Sequence, residues 1–258
     1  MRKCLVAIDV GNSSVKVGVY REGRFREFRT LGYSYFPKCI NKIIKSGSTY
    51  HKDIVLCSVN PIITKKYKKI LSGHKDTHLW ICGENINVKI NHKYNNYSKL
   101  GMDRKVMLYG ATKIYKLPIL VLSVGTALTC DYIDSKGTFQ GGLIIPGPET
   151  AFKALISNTS LLPNLHFPYK KGGFLGIDTK NCMELGILEG YGALIDGIAE
   201  RFRSRFGKDI RVLATGGLAK TIAPRCRNID ILDPLHTMKS LMILRRNHLP
   251  SPTSKTRA

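Results

Sequence analysis

Residues 5–16 read LVAIDVGNSSVK, and residues 120–131 read LVLSVGTALTCD. In each stretch an apolar strand runs into a glycine turn and continues as a second strand. The apolar run of the first stretch ends at Asp9, whereas the second has Ser123 at the equivalent place. Two copies of one strand–turn–strand device, in a chain that alternates strands and helices, predict an α/β fold. We expect two related lobes, each a mixed sheet flanked by helices, with an active-site cleft between them.

The strand pattern also predicts where the two lobes meet along the chain. A helical pattern over residues 103–115 leads to Pro118, after which strands start again. We therefore place an N-terminal lobe at residues 1–117 and a C-terminal lobe at residues 118–249. The polar last residues, 250–258, are expected to form a frayed tail.

The composition is that of a globular protein with no membrane-spanning segment. Hydrophobic residues make up 43% of the 258 residues, and no apolar run approaches the roughly 20 residues that cross a bilayer. The first three residues lead directly into a strand that contains Asp9, which is unlike a secretory signal. We expect a cytoplasmic protein with no membrane partner.

The charge is strongly positive and unevenly distributed. The chain has a net charge of +23, and residues 1–118 hold 23 basic and 7 acidic side chains. Such asymmetry is typical of proteins with an anionic partner such as nucleic acid, but a lysine-rich composition produces it as well. No recognised nucleic-acid-binding motif accompanies the charge, which disfavours nucleic acid as a partner.

The first glycine turn has the groups that a phosphate site needs. Gly11 lets the backbone approach a ligand closely, Lys16 can neutralise phosphate, and Asp9 can hold Mg²⁺ through phosphate-bound water. The alternative is an ordinary hairpin turn rich in small residues. A carboxylate at the end of an apolar run argues against that alternative, because burying an acid that has no role is costly.

Two further stretches are candidates for chemistry. In LGMDRK, at residues 100–105, Asp103 could act as a general base on a substrate hydroxyl and Arg104 could pair with an anionic substrate group. Without context, the favoured explanation is an acid at a helix N-terminus beside a surface arginine. The TGG stretch at residues 215–217 could contact a nucleotide through its backbone, or be a simple strand–helix turn.

Taken together, these stretches resemble a known family. The motifs DVGNSSVK, CSVNP, YNNYSKLGMDR, VGTALTCDYID, GTFQGGLIIPG, LLP, GIDTKN…LGILEG and ATGG lie in order between residue 5 and about residue 217. In this order and spacing they resemble the type III pantothenate kinases, of the actin, hexokinase and heat-shock chaperone superfamily. The resemblance implies an actin-like ATPase fold and a homodimer. It also implies that the chain phosphorylates pantothenate from ATP, the first step towards coenzyme A.

The resemblance also implies roles for individual residues. Asp103 would accept the proton of the pantothenate hydroxyl. Asp9 would hold Mg²⁺ through the ATP phosphates. The residues implied to bind ATP are Asp9, Val10, Gly11, Asn12, Ser13, Ser14, Val15, Lys16, Thr126 and Gly216. The residues implied to bind pantothenate are Tyr94, Gly101, Met102, Asp103, Arg104 and Thr179, the last across the dimer interface.

The chain departs from the family pattern at three positions. Ser13 stands where threonine is usual, which keeps the hydroxyl, and Tyr97 stands where proline is common. The third departure changes charge: the pattern D-x-G-T-A implies an aspartate that holds a monovalent cation, K⁺ or NH₄⁺, and this chain has Ser123 there. A neutral hydroxyl is a much weaker cation ligand. Asp131, on the next strand, is no obvious substitute.

Two other functions stay open at this point. The missing acid and the basic first half would suit a non-enzymatic regulatory or nucleic-acid-binding relative, of the Bvg accessory factor type. A kinase for another acceptor, such as a sugar, is disfavoured because the GMDR and GIDT elements match the pantothenate branch. Asp103 discriminates between enzyme and non-enzyme, since a relative without catalysis has little reason to keep it beside Arg104.

Overall fold

The structure is a computed structural model, which describes residues 2–22, 24–45, 50–74, 77–169 and 172–248. The tail predicted at residues 250–258 lies outside the described residues. The strands, in chain order, are β1 (Arg2–Val10), β2 (Val15–Arg21), β3 (Arg24–Leu31), β4 (Tyr50–Ser58), β5 (Thr77–Ile81), β6 (Asn91–His92), β7 (Ile119–Val124), β8 (Ala127–Ile133), β9 (Thr138–Pro146), β10 (Arg211–Thr215) and β11 (Ile231–Leu232). The α-helices are α1 (Phe36–Lys45), α2 (Pro61–Ser72), α3 (Met102–Ile114), α4 (Pro148–Ser157), α5 (Thr179–Phe206), α6 (Ala219–Ile222) and α7 (His236–Asn247).

These elements form two compact units. The first contains the described residues up to Lys89, the segment Lys99–Lys113 and the described residues from Thr237 onward. The second contains Ile90–Ser98 and Ile114–His236. The last helix, α7, therefore groups with the first unit, although the rest of the chain after α3 belongs to the second.

The first unit is built on a mixed sheet in the order β3-β2-β1-β4-β5. β1 and β2 are antiparallel, whereas β1, β4 and β5 run parallel. Helices α1 and α2 pack on one face of this sheet, where the rings of Phe36 and Tyr67 lie 4.1 Å apart. Tyr67 is fully buried beneath the surrounding lysines, because only one side of an amphipathic helix faces the core.

The opposite face of the same sheet is covered by α3 and α7. Met238, Leu241 and Leu244 of α7 join Val106 of α3 in a cluster with sheet residues such as Val55. A second contact joins the two helices directly: a Cβ at Gly110 would overlap Ser240. Helix α7 is thus part of the core beneath the strands that lead into the first glycine turn.

The second unit is built on a sheet in the order β11-β10-β7-β8-β9-β6. Residues 119–146 form the three antiparallel strands that the sequence predicts, while β10 adds to β7 in parallel. Leu120, Leu122 and Val124 of β7 face a core formed with α4, α5 and α6. The predicted fold class, a mixed α/β architecture of two sheets flanked by helices, is confirmed.

The described helices include no membrane span. None of those within the described ranges is both long and apolar enough to cross a bilayer.

Candidate active site

The first glycine turn joins two buried strands of the first unit. Residues 11–14 connect β1 to β2, and Gly11 N–H donates to the Ser14 carbonyl at 3.0 Å. The two residues at the tip are exposed, whereas Val10 and Val15 on either side are fully buried. Polar groups predicted to bind phosphate are therefore presented by a short turn on a rigid base.

Asp9 lies at the end of β1 and is buried. It is directly opposite Lys16 of β2, whose Nζ is 3.7 Å from Asp9 Oδ2. Asp9 is only 6% exposed, and its Oδ1 has no hydrogen-bond partner among the described residues. Burial raises the pKa of the Asp9 carboxyl above its ordinary value; Lys16 opposes this rise and the charge of Asp103 adds to it. A buried carboxylate oxygen with no protein donor is suited to a cation or to water bound by one.

Asp103 lies in the first turn of α3. Its Oδ1 accepts a hydrogen bond from Arg104 N–H at 2.8 Å, which holds the side chain at the helix N-terminus. Gly101 makes room for it, because a Cβ there would come within 2.6 Å of Asp103 Oδ1. The structure therefore brings Asp103 into the same unit as Asp9 and close enough to affect its titration. Arg104 is buried, with 7% of its surface exposed. It is therefore not the surface arginine that the alternative to a functional role assumes.

The strand register adds a pair of thiols to this site. Cys57 of β4 lies directly opposite Asp9, and Cys82 follows the last residue of the neighbouring strand β5. A hydrogen bond with Cys82 and burial raise the pKa of the Cys57 thiol, and the charges of Asp9 and Asp103 raise it further. The CSVNP motif contains Cys57 but assigns it no role. Only the pairing of β1 with β4, which no local pattern reveals, places the thiol beside the carboxylates.

In the second unit, the structure brings the other two glycine turns together. β7 and β10 are parallel neighbours, so both strands lead into their turns at the same edge of the sheet. Leu218 N–H donates to the Val124 carbonyl at 3.0 Å, which joins the turns. Gly216 has a φ of +98°, and a Cβ there would overlap the Val124 backbone. Only glycine fits this position without strain.

Thr126 is exposed at the second turn and its backbone is well anchored. Its carbonyl accepts hydrogen bonds from Gly147 N–H at 2.9 Å and from Thr150 Oγ1 at 2.7 Å. These bonds tie the turn to the N-terminus of α4. The two residues predicted to contact ATP in the second unit, Thr126 and Gly216, thus lie on adjacent turns.

Ser123 lies in a row of hydroxyl residues. It is directly opposite Thr215 of β10 and Thr129 of β8, and residues paired in this way point to the same face of a sheet. The Oγ1 atoms of Thr129 and Thr215 are buried and have no hydrogen-bond partner among the described residues. Asp131 lies opposite Val121, two residues further along the strands, so the two residues paired with Ser123 supply no carboxylate.

The remaining predicted substrate residues belong to the second unit. Tyr94 stacks on Phe139, with ring centroids 5.7 Å apart. Tyr97, at the position where the family commonly has proline, stacks on His92 at 4.2 Å, which orders the loop that holds Tyr94. Thr179 is exposed in the first turn of α5.

Comparisons with known proteins agree with these features. The family model described as type III pantothenate kinase matches residues 5–201. A type III pantothenate kinase from Citrifermentans bemidjiense is 31% identical over 249 residues, which are 93% of this chain and 98% of that protein.

Among solved structures, a 2-dehydro-3-deoxygalactonokinase from Sinorhizobium meliloti matches with a TM-score of 0.60 and 14% identity, over 98% of this chain and 100% of that one. A protein from Campylobacter jejuni, described as a Baf family transcriptional activator, matches with a TM-score of 0.51 and 19% identity, over 94% of this chain and 97% of that one. At these identities the two structures show the fold alone.

The sequence comparisons decide between the functions left open above. The family model covers most of the chain, and the relative at 31% identity is matched along nearly its whole length. Both favour a kinase over the non-enzymatic alternative. The chain belongs to the type III pantothenate kinase family.

Proposed function

We propose that this protein transfers the terminal phosphoryl group of ATP to the hydroxyl of pantothenate, giving 4'-phosphopantothenate, with Asp103 as the general base. The observation that carries the proposal is the position of Asp103 at the start of α3, close to the buried Asp9. Phosphoryl transfer needs positioning, charge neutralisation and one proton acceptor. The first unit contains candidates for all three.

The surroundings of Asp103 suit a proton acceptor. Its Oδ1 is engaged by Arg104 N–H, and no hydrogen bond occupies Oδ2 within the described residues. One oxygen is thus held and the other can accept the hydroxyl proton. We expect the backbone bond to fix the direction in which Oδ2 points, so that the acceptor is oriented before substrate binds.

For ATP, we propose the hairpin from Asp9 to Lys16 in the first unit and the turns at Thr126 and Gly216 in the second. Backbone N–H groups of glycine turns and the Lys16 ammonium are suited to phosphate oxygens. We propose that a divalent cation such as Mg²⁺ is held through Asp9, whose Oδ1 has no hydrogen-bond partner among the described residues. When bound with the nucleotide, such an ion would neutralise phosphate charge.

A monovalent cation does not fit the residues around Ser123. The donors side by side there are three neutral hydroxyls, from Ser123, Thr129 and Thr215. We expect K⁺ or NH₄⁺ at such a site to need a negatively charged oxygen ligand, and a chain of net charge +23 offers no general attraction for cations. We propose that this kinase works without a bound monovalent cation.

For pantothenate, we propose Gly101, Met102, Asp103 and Arg104, together with Tyr94 and Thr179. The stacked rings at Tyr94 and the capped first turn at Thr179 support ordered positions for both.

A cytoplasmic location is proposed on the sequence alone.

We also propose a homodimer that forms through the second unit. Large apolar side chains are exposed along residues 143–177: Leu143, Ile144, Leu161, Phe174, Leu175 and Ile177. Two of them, Leu161 and Ile177, are 94% and 97% exposed. So much apolar surface on one unit is typical of a protein–protein contact, and its last member lies two residues before Thr179.

A direct assay tests the proposed reaction. Purified protein is incubated with ATP, Mg²⁺ and pantothenate, and phosphopantothenate is detected by mass spectrometry. Asp103→Asn should lower kcat by at least about 100-fold, the usual contribution of a general base, while its unfolding temperature stays close to that of the wild type. The matched control is Asp209→Asn, an exposed acid, which should leave turnover unchanged. Absence of product in the wild-type reaction would contradict the proposal.

A further inference from the structure

A tyrosine from another part of the first unit is bonded to the first glycine turn. The Tyr33 hydroxyl donates to the Gly11 carbonyl at 2.5 Å. Tyr33 lies between β3 and α1, and the two residues are 22 positions apart in the chain. No motif in the sequence marks this residue.

This bond determines the direction of one peptide group in the turn. In a planar trans peptide, the carbonyl and the following N–H point in opposite directions. Fixing the Gly11 carbonyl towards Tyr33 therefore aims Asn12 N–H away from Tyr33. Gly11 N–H is already bonded to Ser14, whereas Asn12 N–H has no hydrogen bond within the described residues. The turn thus offers a free, oriented donor, as anion-binding turns do.

Tyr33 is itself held by the core. Its carbonyl accepts a hydrogen bond from the Tyr67 hydroxyl at 3.0 Å. Tyr67 is fully buried and its ring packs against Phe36. Burial raises the pKa of the Tyr33 hydroxyl, so that it stays protonated and able to donate. The orientation of the turn is therefore set by a chain of contacts that begins in the buried face of α2.

We propose that Tyr33 is a positioning residue for ATP: its hydroxyl orients the Gly11–Asn12 peptide so that the Asn12 N–H can bind a phosphate oxygen. This inference rests on the proposed use of ATP. Tyr33 acts through the turn and does not itself touch the nucleotide. A purely structural role is the competing explanation, in which the bond stabilises the hairpin and ATP affinity does not depend on it.

The test compares Tyr33→Phe with the wild type. The variant keeps the ring and its packing and removes only the hydroxyl. We expect the KM for ATP, and the Kd for a non-hydrolysable ATP analogue measured by calorimetry, to rise about fivefold, as for one lost hydrogen bond. The kcat and the KM for pantothenate should stay within about twofold of the wild type. A fall in unfolding temperature with unchanged ATP affinity would overturn the proposal.

Two further variants sharpen the comparison. Tyr67→Phe removes the bond that holds the Tyr33 backbone and should weaken ATP binding in the same direction by a smaller factor. Tyr20→Phe in β2 is the control: its ring packs edge-on against Phe25, and its loss of a hydroxyl should leave ATP binding unchanged. An equal effect from Tyr20→Phe would count against a specific role for Tyr33.

The binding measurement separates this inference from the proposed function. If the wild type binds the analogue and Tyr33→Phe binds it more weakly, but no phosphopantothenate forms, the inference holds and the proposed reaction fails. If the wild type forms product and Tyr33→Phe has the same affinity for ATP, the inference alone fails. Absence of nucleotide binding by the wild type would overturn both.

Discussion

Ser123 in β7 lies directly opposite Thr215 in β10, so that two hydroxyl side chains stand together where the family pattern implies a carboxylate. Thr129 lies opposite Ser123 on the other side, in β8. The sheet register thus surrounds the substituted position with neutral groups. Compared with the family pattern, the second unit retains the two glycine turns beside this row but has a neutral serine in place of the carboxylate.

The first prediction concerns dependence on monovalent cations. Turnover by the wild type should differ by less than about twofold between buffers with K⁺, Na⁺ or choline as the only added monovalent cation, because both residues paired with Ser123 are neutral threonines. Ser123→Asp should restore a charged ligand next to the two threonine hydroxyls. We expect this variant to become several-fold more active in K⁺ than in choline, as measured in a coupled kinase assay.

Ser123→Ala serves as the matched control, since it removes the hydroxyl without adding charge and should remain independent of K⁺. Binding of the ATP analogue, measured in the same salts, gives a second readout that does not require turnover. Strong stimulation of the wild type by K⁺ would show that the hydroxyl row binds the cation after all.

The second prediction concerns the buried carboxylate of Asp9. Burial raises its pKa in the folded state. A carboxyl that binds its proton more tightly when folded contributes most to stability below its unfolded pKa, and this contribution is lost as the pH rises through the folded pKa. At neutral pH, therefore, Asp9 destabilises the fold, and Asp9→Asn should unfold at a higher temperature than the wild type. A gain of about 1 kcal/mol would raise Tm by about 2–4 °C.

The pH dependence identifies the cause of that gain. The difference in Tm between Asp9→Asn and the wild type should shrink as the pH is lowered below about 4, the ordinary pKa of an unfolded aspartate, because the carboxyl is then protonated in both states. Activity should change in the opposite sense, because the variant loses the charge proposed to act on the ATP phosphates. A variant that is less stable than the wild type at pH 7 would contradict this account.

The sequence predicts a large part of this structure from local patterns. The run KKYKK at residues 65–69 predicts a solvated, lysine-rich helix face with Tyr67 packed beneath it, and Tyr67 is buried. The stretch IRVLATGG at residues 210–217 predicts a core strand that ends at a double glycine, and β10 is observed as Arg211–Thr215, after which Gly216 has a positive φ. The alternation of apolar and polar residues along a strand and the glycines of a turn are local properties, so residues adjacent in the sequence are enough to predict them.

Contacts between distant segments could not be predicted in the same way. Cys57 lies beside Asp9 only through strand register, and Tyr33 reaches Gly11 only through the packing of α1 and α2. No helix is predicted at the position of α7. The packing of α7 against α3 depends on a small residue elsewhere in the chain, Gly110, which lies against Ser240. Whether a distant glycine matches a given helix cannot be judged from either segment alone.

The third prediction tests that attachment of α7. Gly110→Ala introduces a Cβ that overlaps Ser240, which is fully buried. Such overpacking should reduce the free energy of unfolding by about 1–3 kcal/mol, which thermal or urea unfolding would detect. The control is Gly190→Ala in α5, where a Cβ has open space; it should be neutral or stabilise the protein by up to about 1 kcal/mol. Equal effects from the two substitutions would indicate that helix propensity, and not packing against α7, decides the outcome.

The fourth prediction concerns assembly through the second unit. The double substitution Leu175→Asp and Ile177→Asp places two charges in the exposed apolar segment just before Thr179. We expect it to convert a dimer into a monomer, as measured by light scattering on a sizing column, because charges are costly to bury in an interface. Since Thr179 is proposed to bind pantothenate across that interface, the KM for pantothenate should rise while the Kd for the ATP analogue stays the same.

Ile62→Asp is the matched control, because Ile62 is 82% exposed but lies in the first unit, and it should leave the dimer intact. A wild-type protein that is monomeric at assay concentrations would exclude the proposed dimer.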